Sequence, residues 1–154
     1  MAINKDEIKL DRAALKVQAD EYHKQGFNCA QSVICALAPA LDLDPRTAFP
    51  LTEGFGAGMG GMTETCGAVS GAVVALGVVE STGFDAPTSK GRTYKMACEL
   101  CKRFEAKNGS NVCRVLKGVG SEEGPLRSCP GCIDDAIDLF VDIMVEQGTT
   151  KARG

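Results

Sequence analysis

Eight cysteines in a chain of 154 residues supply enough thiols for metal ligation or redox chemistry, and four of them sit in a telling way. Cys29, Cys66, Cys113 and Cys132 come from separate segments, and each falls where a helix is expected to begin. Asn28 is a good N-cap and makes Cys29 the first helical residue. Thr63 in T-E-T-C and Ser110 in S-N-V-C, as caps, place Cys66 and Cys113 three residues into their helices. In C-P-G-C, Pro130 suits a first turn and the apolar face starts at Ile133, beside Cys132. A helix N-terminus carries unpaired N–H groups and about half a positive charge, which favours thiolate over thiol and draws in anions. Four such ends meeting form an electropositive nest, which is what a cysteine-ligated iron–sulfur cluster needs, whether of the 2Fe-2S or the 4Fe-4S type.

The stretch GFGAGMGGMTETCGAVSG, residues 54–71, supplies bare backbone next to Cys66. Its glycines let N–H groups approach a cofactor where side chains would collide. Gly58, Gly60, Gly61 and Gly67 are the candidate cofactor-contacting positions, with N–H groups from about Gly58 to Gly61 tuning a cluster by hydrogen bonding. Gly56, Gly58 and Gly61 also fit G-x-G-x-x-G, but the preceding F-P-L-T-E is no strand of a βαβ unit, so the dinucleotide reading is set aside.

The remaining cysteines read differently. Cys35 lies mid-helix among Val33, Ile34 and Leu37 and reads as core. Cys98 and Cys101 lie one turn apart and are alternate ligands, with a core or supporting role preferred. Cys129 competes with Cys132 for the fourth position. Pairing Cys98-x-x-Cys101 with Cys129-x-x-Cys132 as a zinc site leaves 27 residues between the pairs, more than a zinc ribbon uses. The stronger rival is a cluster-free dithiol, built on Cys129 with Cys132 or on Cys66 with a partner. His23 reads as a solvated residue at a helix end, and Arg114 as a surface arginine that adds positive charge beside Cys113. No general base or catalytic triad stands out, so no enzymatic step is assigned.

The elements that must position these residues are helices. Apolar spacing predicts helices over 6–24, 29–38, 64–80, 88–107, 111–118 and 131–147, with the LDLDPRTAFP stretch as a break. No segment alternates as a strand should. The expectation is an all-α single domain, a compact multi-helix bundle with a glycine-rich loop, a core over 6–147 and a short flexible tail at 148–154. Gly67-x-x-x-Gly71 with Ala68, Ala72 and Ala75 offers a surface for close helix packing, inside the domain or in a homodimer.

Composition narrows the partners. A net charge of -3 leaves no broad basic face for nucleic acid. The N-terminus lacks the apolar stretch of a secretory signal, and the run from Cys66 to Val79 is glycine-interrupted and shorter than the roughly 20 residues that span a bilayer. A cytoplasmic protein serving an unidentified redox partner protein is expected.

Together, N-C-A-Q-S-V at 28–33, the glycine run before C-G-A-V-S-G at 66–71, G-S-N-V-C-R at 109–114 and a final cysteine before an apolar helix resemble the C-GCAxxG-C-C family of redox-active proteins. The likeness spans about residues 10–147. It implies that the four family cysteines are Cys29, Cys66, Cys113 and Cys132. A related domain occurs in split-Soret type cytochromes beside haem, but this chain has no Cys-x-x-Cys-His site, so covalent haem is not expected.

Overall fold

The computed structural model describes residues 3–147 and 151–153. Seven α-helices carry the architecture: α1 Arg12–Lys24, α2 Cys29–Leu37, α3 Pro45–Thr52, α4 Gly67–Glu80, α5 Lys90–Asn108, α6 Cys113–Leu116 and α7 Cys129–Glu146. With 70% helix, the fold is all-α.

α2 is the hub. Every residue from Ala30 to Leu37 is buried, and the helix packs against α1, α3, α4 and α7. Its close approach to α4 has a local cause: a Cβ on Gly71 would stand 2.7 Å from the Ala30 carbonyl oxygen and 3.1 Å from Val33 Cβ. The small-residue stripe of α4 is therefore spent on packing inside the domain. α7 contributes Ile133, Ile137, Phe140 and Met144 to the core, where they meet Leu100 and Phe104 from α5.

Several boundaries differ from the expected ones, each for a physical reason. The DPRTAFP stretch forms α3 because Asp44 caps it, accepting from the Arg46 N–H at 2.9 Å, and Pro45 takes the first helical position. The 6–24 helix starts only at Arg12, after a 3₁₀ turn at Lys5–Glu7 and a strand β1, Lys9–Asp11. β1 pairs in parallel with β2, Lys151–Arg153. Part of the segment expected to be a flexible tail is thus a strand, while 148–150 and 154 lie outside the described residues.

Charged clamps fix α1 on α7. Asp138, mostly buried, takes Arg12 Nη1 at 2.8 Å and Lys16 Nζ at 2.6 Å. Burial pulls the Asp138 pKa up, but the bonds from Lys16 and Arg12 outweigh it and leave the carboxyl below its ordinary value. A depressed folded pKa gives stability that is present above the unfolded value of about 3.9 and lost as pH falls through the folded one. Asp138→Asn is expected to cost about 1 kcal/mol at pH 7. Thermal melts should show a smaller acid-induced drop in Tm between pH 7 and 3 for the variant than for the parent chain.

Candidate functional site: a five-cysteine cavity

The starts of α2, α4, α6 and α7 converge on one cavity of about 170 Å³. Its walls include Cys29, Cys66, Cys113, Cys129 and Cys132. All eight cysteines are free thiols.

Each thiol arrives by its own local device. Asn28 caps α2 in a reciprocal box: its Oδ1 accepts from the Gln31 N–H at 2.9 Å, and Gln31 Oε1 accepts from the Asn28 N–H at 3.0 Å. Cys29 is therefore the first helical residue, as its spacing predicts. Asn28 Nδ2 also donates to the Glu53 carbonyl at 2.8 Å, tying the cap to the segment that leads into the glycine loop. Asn28→Ala is expected to cost about 1 to 2 kcal/mol, read by denaturant titration.

Cys66 and Cys113 are placed together by a feature that helix periodicity does not contain. Thr65 and Val112 form an isolated antiparallel bridge. Through it the Cys66 N–H donates to the Asn111 carbonyl at 2.7 Å and the Cys113 N–H donates to the Glu64 carbonyl at 3.0 Å. The two residues also sit earlier on their helices than expected. Cys66 is the N-cap of α4 rather than its third residue, because Thr63 is not the cap, and Cys113 is the first residue of α6 behind Val112. Ser110 caps nothing in α6; its hydroxyl accepts from the Val112 N–H instead.

Ser128 caps α7 by accepting from the Gly131 N–H at 3.1 Å, so Cys129 opens the helix and Cys132 lies within its first turn. The helix thus begins at 129 rather than 131. α6 and α7 are drawn together by the Leu116 carbonyl, which accepts from the Leu126 N–H at 2.8 Å and the Arg127 N–H at 3.3 Å.

Hydrogen bonding couples the protonation of three thiols, Cys66 with Cys29 on one side and with Cys132 on the other. The consequence for proton affinity is opposite to the thiolate expected at helix ends. The bond from Cys66 to Cys132, with burial behind it, pushes the Cys66 pKa up to about 12, even though Cys29 and the Ala68 N–H pull the other way. Cys29 is raised by its bond to Cys66 and by burial, against N–H groups of Ala57 and Ala30. Burial raises Cys113. Hydrogen bonding among the thiols and burial thus outweigh the neighbouring N–H donors, and these thiols shed their protons together only when a cation compensates them. Iodoacetamide at pH 8 is accordingly expected to modify exposed Cys98 well before buried Cys66, with Cys66 labelling rising toward pH 12; peptide mass spectrometry reads the order.

The glycines divide. Gly67 and Gly58 are held against the site: a Cβ on Gly67 would lie 2.5 Å from Cys29 Sγ, and one on Gly58 would lie 2.5 Å from Cys113 Cβ. Gly60 and Gly61 are exposed, and none of the four candidate glycines is itself among the residues that line the cavity. The N–H that does reach Cys29 from this loop belongs to Ala57, which lines the cavity in the left-handed region at φ 52°. A non-glycine residue in that region is strained and persists where its surroundings enforce it.

Outside the cavity, Cys35 is buried in α2, as its spacing predicts. Cys98 is exposed and Cys101 half-buried on α5, and neither lines the cavity. Arg114 is exposed and also stands outside it. The cationic side chains of the wall are instead Lys117 and Arg127, and His23 at the end of α1 also lines the cavity. His23 is thus part of the site, and half-buried, where a solvated helix end was expected.

Among the described residues, no three His, Cys, Asp or Glu side chains converge on one point as ligands of one metal ion. The thiols are distributed around a cavity that also offers N–H donors and two cationic side chains, and these are the features that hold an anionic cluster. Among the described residues no helix is long and apolar enough to cross a membrane.

No curated protein and no solved structure matches this chain. Residues 27–143 match the family described as "Putative redox-active protein (C_GCAxxG_C_C)", a span that contains the glycine loop and all the thiols of the cavity. The chain belongs to the C_GCAxxG_C_C family of redox-active proteins.

Proposed function

We propose that the cavity holds an iron–sulfur cluster, 2Fe-2S or 4Fe-4S, through Cys29, Cys66, Cys113 and Cys132, and that the protein transfers electrons to a redox partner protein or senses redox state. The observation that carries this reading is the convergence of thiols from four separate helix starts on one cavity walled by N–H groups and cations. Such a group would supply one-electron chemistry near a surface. The chain's own residues bind it and exclude bulk water: Gly58 and Gly67 keep the wall thin, Leu116 covers one side, and the Ala57, Ala30 and Ala68 N–H groups point at sulfur. Lys117 and Arg127 offset the negative charge of the thiolates.

The test is reduction of anaerobically purified protein by dithionite. Bleaching of a broad visible absorption, with a matching paramagnetic resonance signal in one of the two oxidation states, is expected. A colourless protein that takes up no electrons beyond its disulfides would contradict the proposal.

A second reading rests on the contacts among the thiols. Because the protonation of Cys66 is coupled to both Cys29 and Cys132, a cluster-free thiol–disulfide protein would use Cys66 as the shared partner, in preference to Cys129 with Cys132. Mass mapping of diamide-oxidised protein separates the pairs.

A further inference from the structure

The Arg127 guanidinium is held by a device that the thiols alone do not require. Arg127 Nε donates to Asp135 Oδ2 at 3.0 Å and Nη2 to Oδ1 at 3.2 Å, a two-point grip on a carboxylate that is only 1% exposed. Lys107 from α5 binds the same carboxylate at 2.9 Å. Burying an acid costs free energy unless it is paired, and here two cations answer one anion, which leaves a net positive charge in the cluster of three. Space has also been cleared. Gly131 lies in the first turn of α7, and a Cβ there would stand 2.5 Å from Arg127 Nε and 2.6 Å from its Cζ. The side chain therefore lies against the start of α7, at the wall of the cavity that Cys132 also lines.

We propose that Arg127, held in place by Asp135 and given room by Gly131, sets the reduction potential of the redox group in the cavity by standing as a fixed positive charge beside Cys132. This rests on the cluster reading of the cavity. Adding one electron from an electrode or a mediator dye makes the site one unit more negative. A fixed cation at the wall stabilises that reduced state more than the oxidised one and raises the potential. A cation without such a grip would spend part of its time away from the wall and would do less. Asp135 and Lys107 touch neither thiol nor cavity; they act as positioning residues.

The experiment is a dye-mediated redox titration, followed by visible absorbance, on cluster-loaded parent protein, Arg127→Gln, Arg127→Lys and Gly131→Ala, at low and at high salt. Arg127→Gln is expected to lower the ratio of reduced to oxidised protein at a fixed potential by at least about tenfold, a downward shift of about 59 mV for one electron. Arg127→Lys keeps the charge but not the two-point grip and should fall between. Gly131→Ala keeps every charge and displaces the guanidinium, so it too should lower the potential. Added salt should move the parent potential toward that of Arg127→Gln and change the latter little. Should Arg127→Gln fail to fold, Arg127→Lys and Gly131→Ala decide by the same readings. Loaded variants that keep the parent potential and salt response overturn this inference while leaving the cluster reading intact. A parent protein with no iron and no sulfide overturns both.

Discussion

Replacing any one of Cys29, Cys66, Cys113 or Cys132 by Ala is expected to reduce iron retention by at least about 100-fold, beyond the range seen when only supporting residues of a metal site are removed. The reasoning is geometric. Each thiol comes from a different element; Cys66 and Cys113 have no second cysteine beside them, and Cys35, which shares α2 with Cys29, does not line the cavity. Cys132 is the exception that sharpens the test, because Cys129 lies one turn away on α7 and also lines the cavity. Cys132→Ala should therefore lose most iron and Cys129→Ala little; the reverse would make Cys129 the fourth ligand. Cys35→Ala, Cys98→Ala and Cys101→Ala should keep their iron, since none of these residues lines the cavity. A dithiol protein built on Cys66 would instead tolerate Cys113→Ala. Iron assays on gel-filtered variants, with circular dichroism confirming the fold, distinguish the patterns.

Gly67→Ala should cause nearly as large a loss without removing a single sulfur. The added methyl would stand 2.5 Å from Cys29 Sγ, 2.9 Å from the Phe55 carbonyl oxygen and 3.3 Å from the Ala30 nitrogen. Two of those three neighbours are backbone atoms in packed segments, so the strain cannot be released by one rotamer change. Overpacking of this kind costs typically about 1 to 3 kcal/mol and displaces what it strikes. Here it strikes a thiol of the site. Gly58→Ala adds a backbone conflict, because Gly58 sits at φ 54° with its Cβ position 2.5 Å from Cys113 Cβ and 2.8 Å from the Glu64 carbonyl oxygen. Gly60→Ala and Gly61→Ala are the controls: neither Cβ would meet an atom closer than 3.9 Å, although Gly60 has positive φ and pays a conformational cost. Lower Tm and lower iron content are expected for the first two variants, with iron content unchanged in the controls. Unaltered iron in Gly67→Ala would show that the thiol arrangement is not tied to this contact.

The helices were legible because the chain marks them locally. Asn28 before Cys29, Asn108-Gly109 after α5 and the apolar face of α7 each announce an element from a few neighbouring residues. Cys29 was legible for the same reason, next to its cap Asn28, whereas the caps expected for Cys66 and Cys113, Thr63 and Ser110, do not cap α4 or α6. What was hidden depends on contacts between distant segments. The Thr65 to Val112 bridge sets where α4 and α6 begin, and no residue within either segment encodes its partner. Arg127 stands in a glycine- and proline-punctuated loop, and its importance comes from Asp135 and from the Leu116 carbonyl, both remote in the pattern of apolar spacing. The glycine loop misled in its centre. Gly60 and Gly61 shape the turn at the surface, while the residue that turns its N–H toward sulfur is Ala57, a type with no sequence preference for positive φ. α3 was legible in its Asp44-Pro45 start, and was overlooked because Pro50 and Pro39 flank or interrupt the stretch.

The central claim is that the thiols of one cavity hold a cluster of iron and sulfide. It is tested most directly by purifying the protein without oxygen and measuring visible absorption, iron, acid-labile sulfide and protein in a single sample. Broad visible absorption with iron and sulfide in comparable amounts, at two or four of each per chain, is the predicted result. A colourless protein free of metal, whose free-thiol count rises on reduction, would contradict it and leave the chemistry to Cys66 and its two sulfur neighbours.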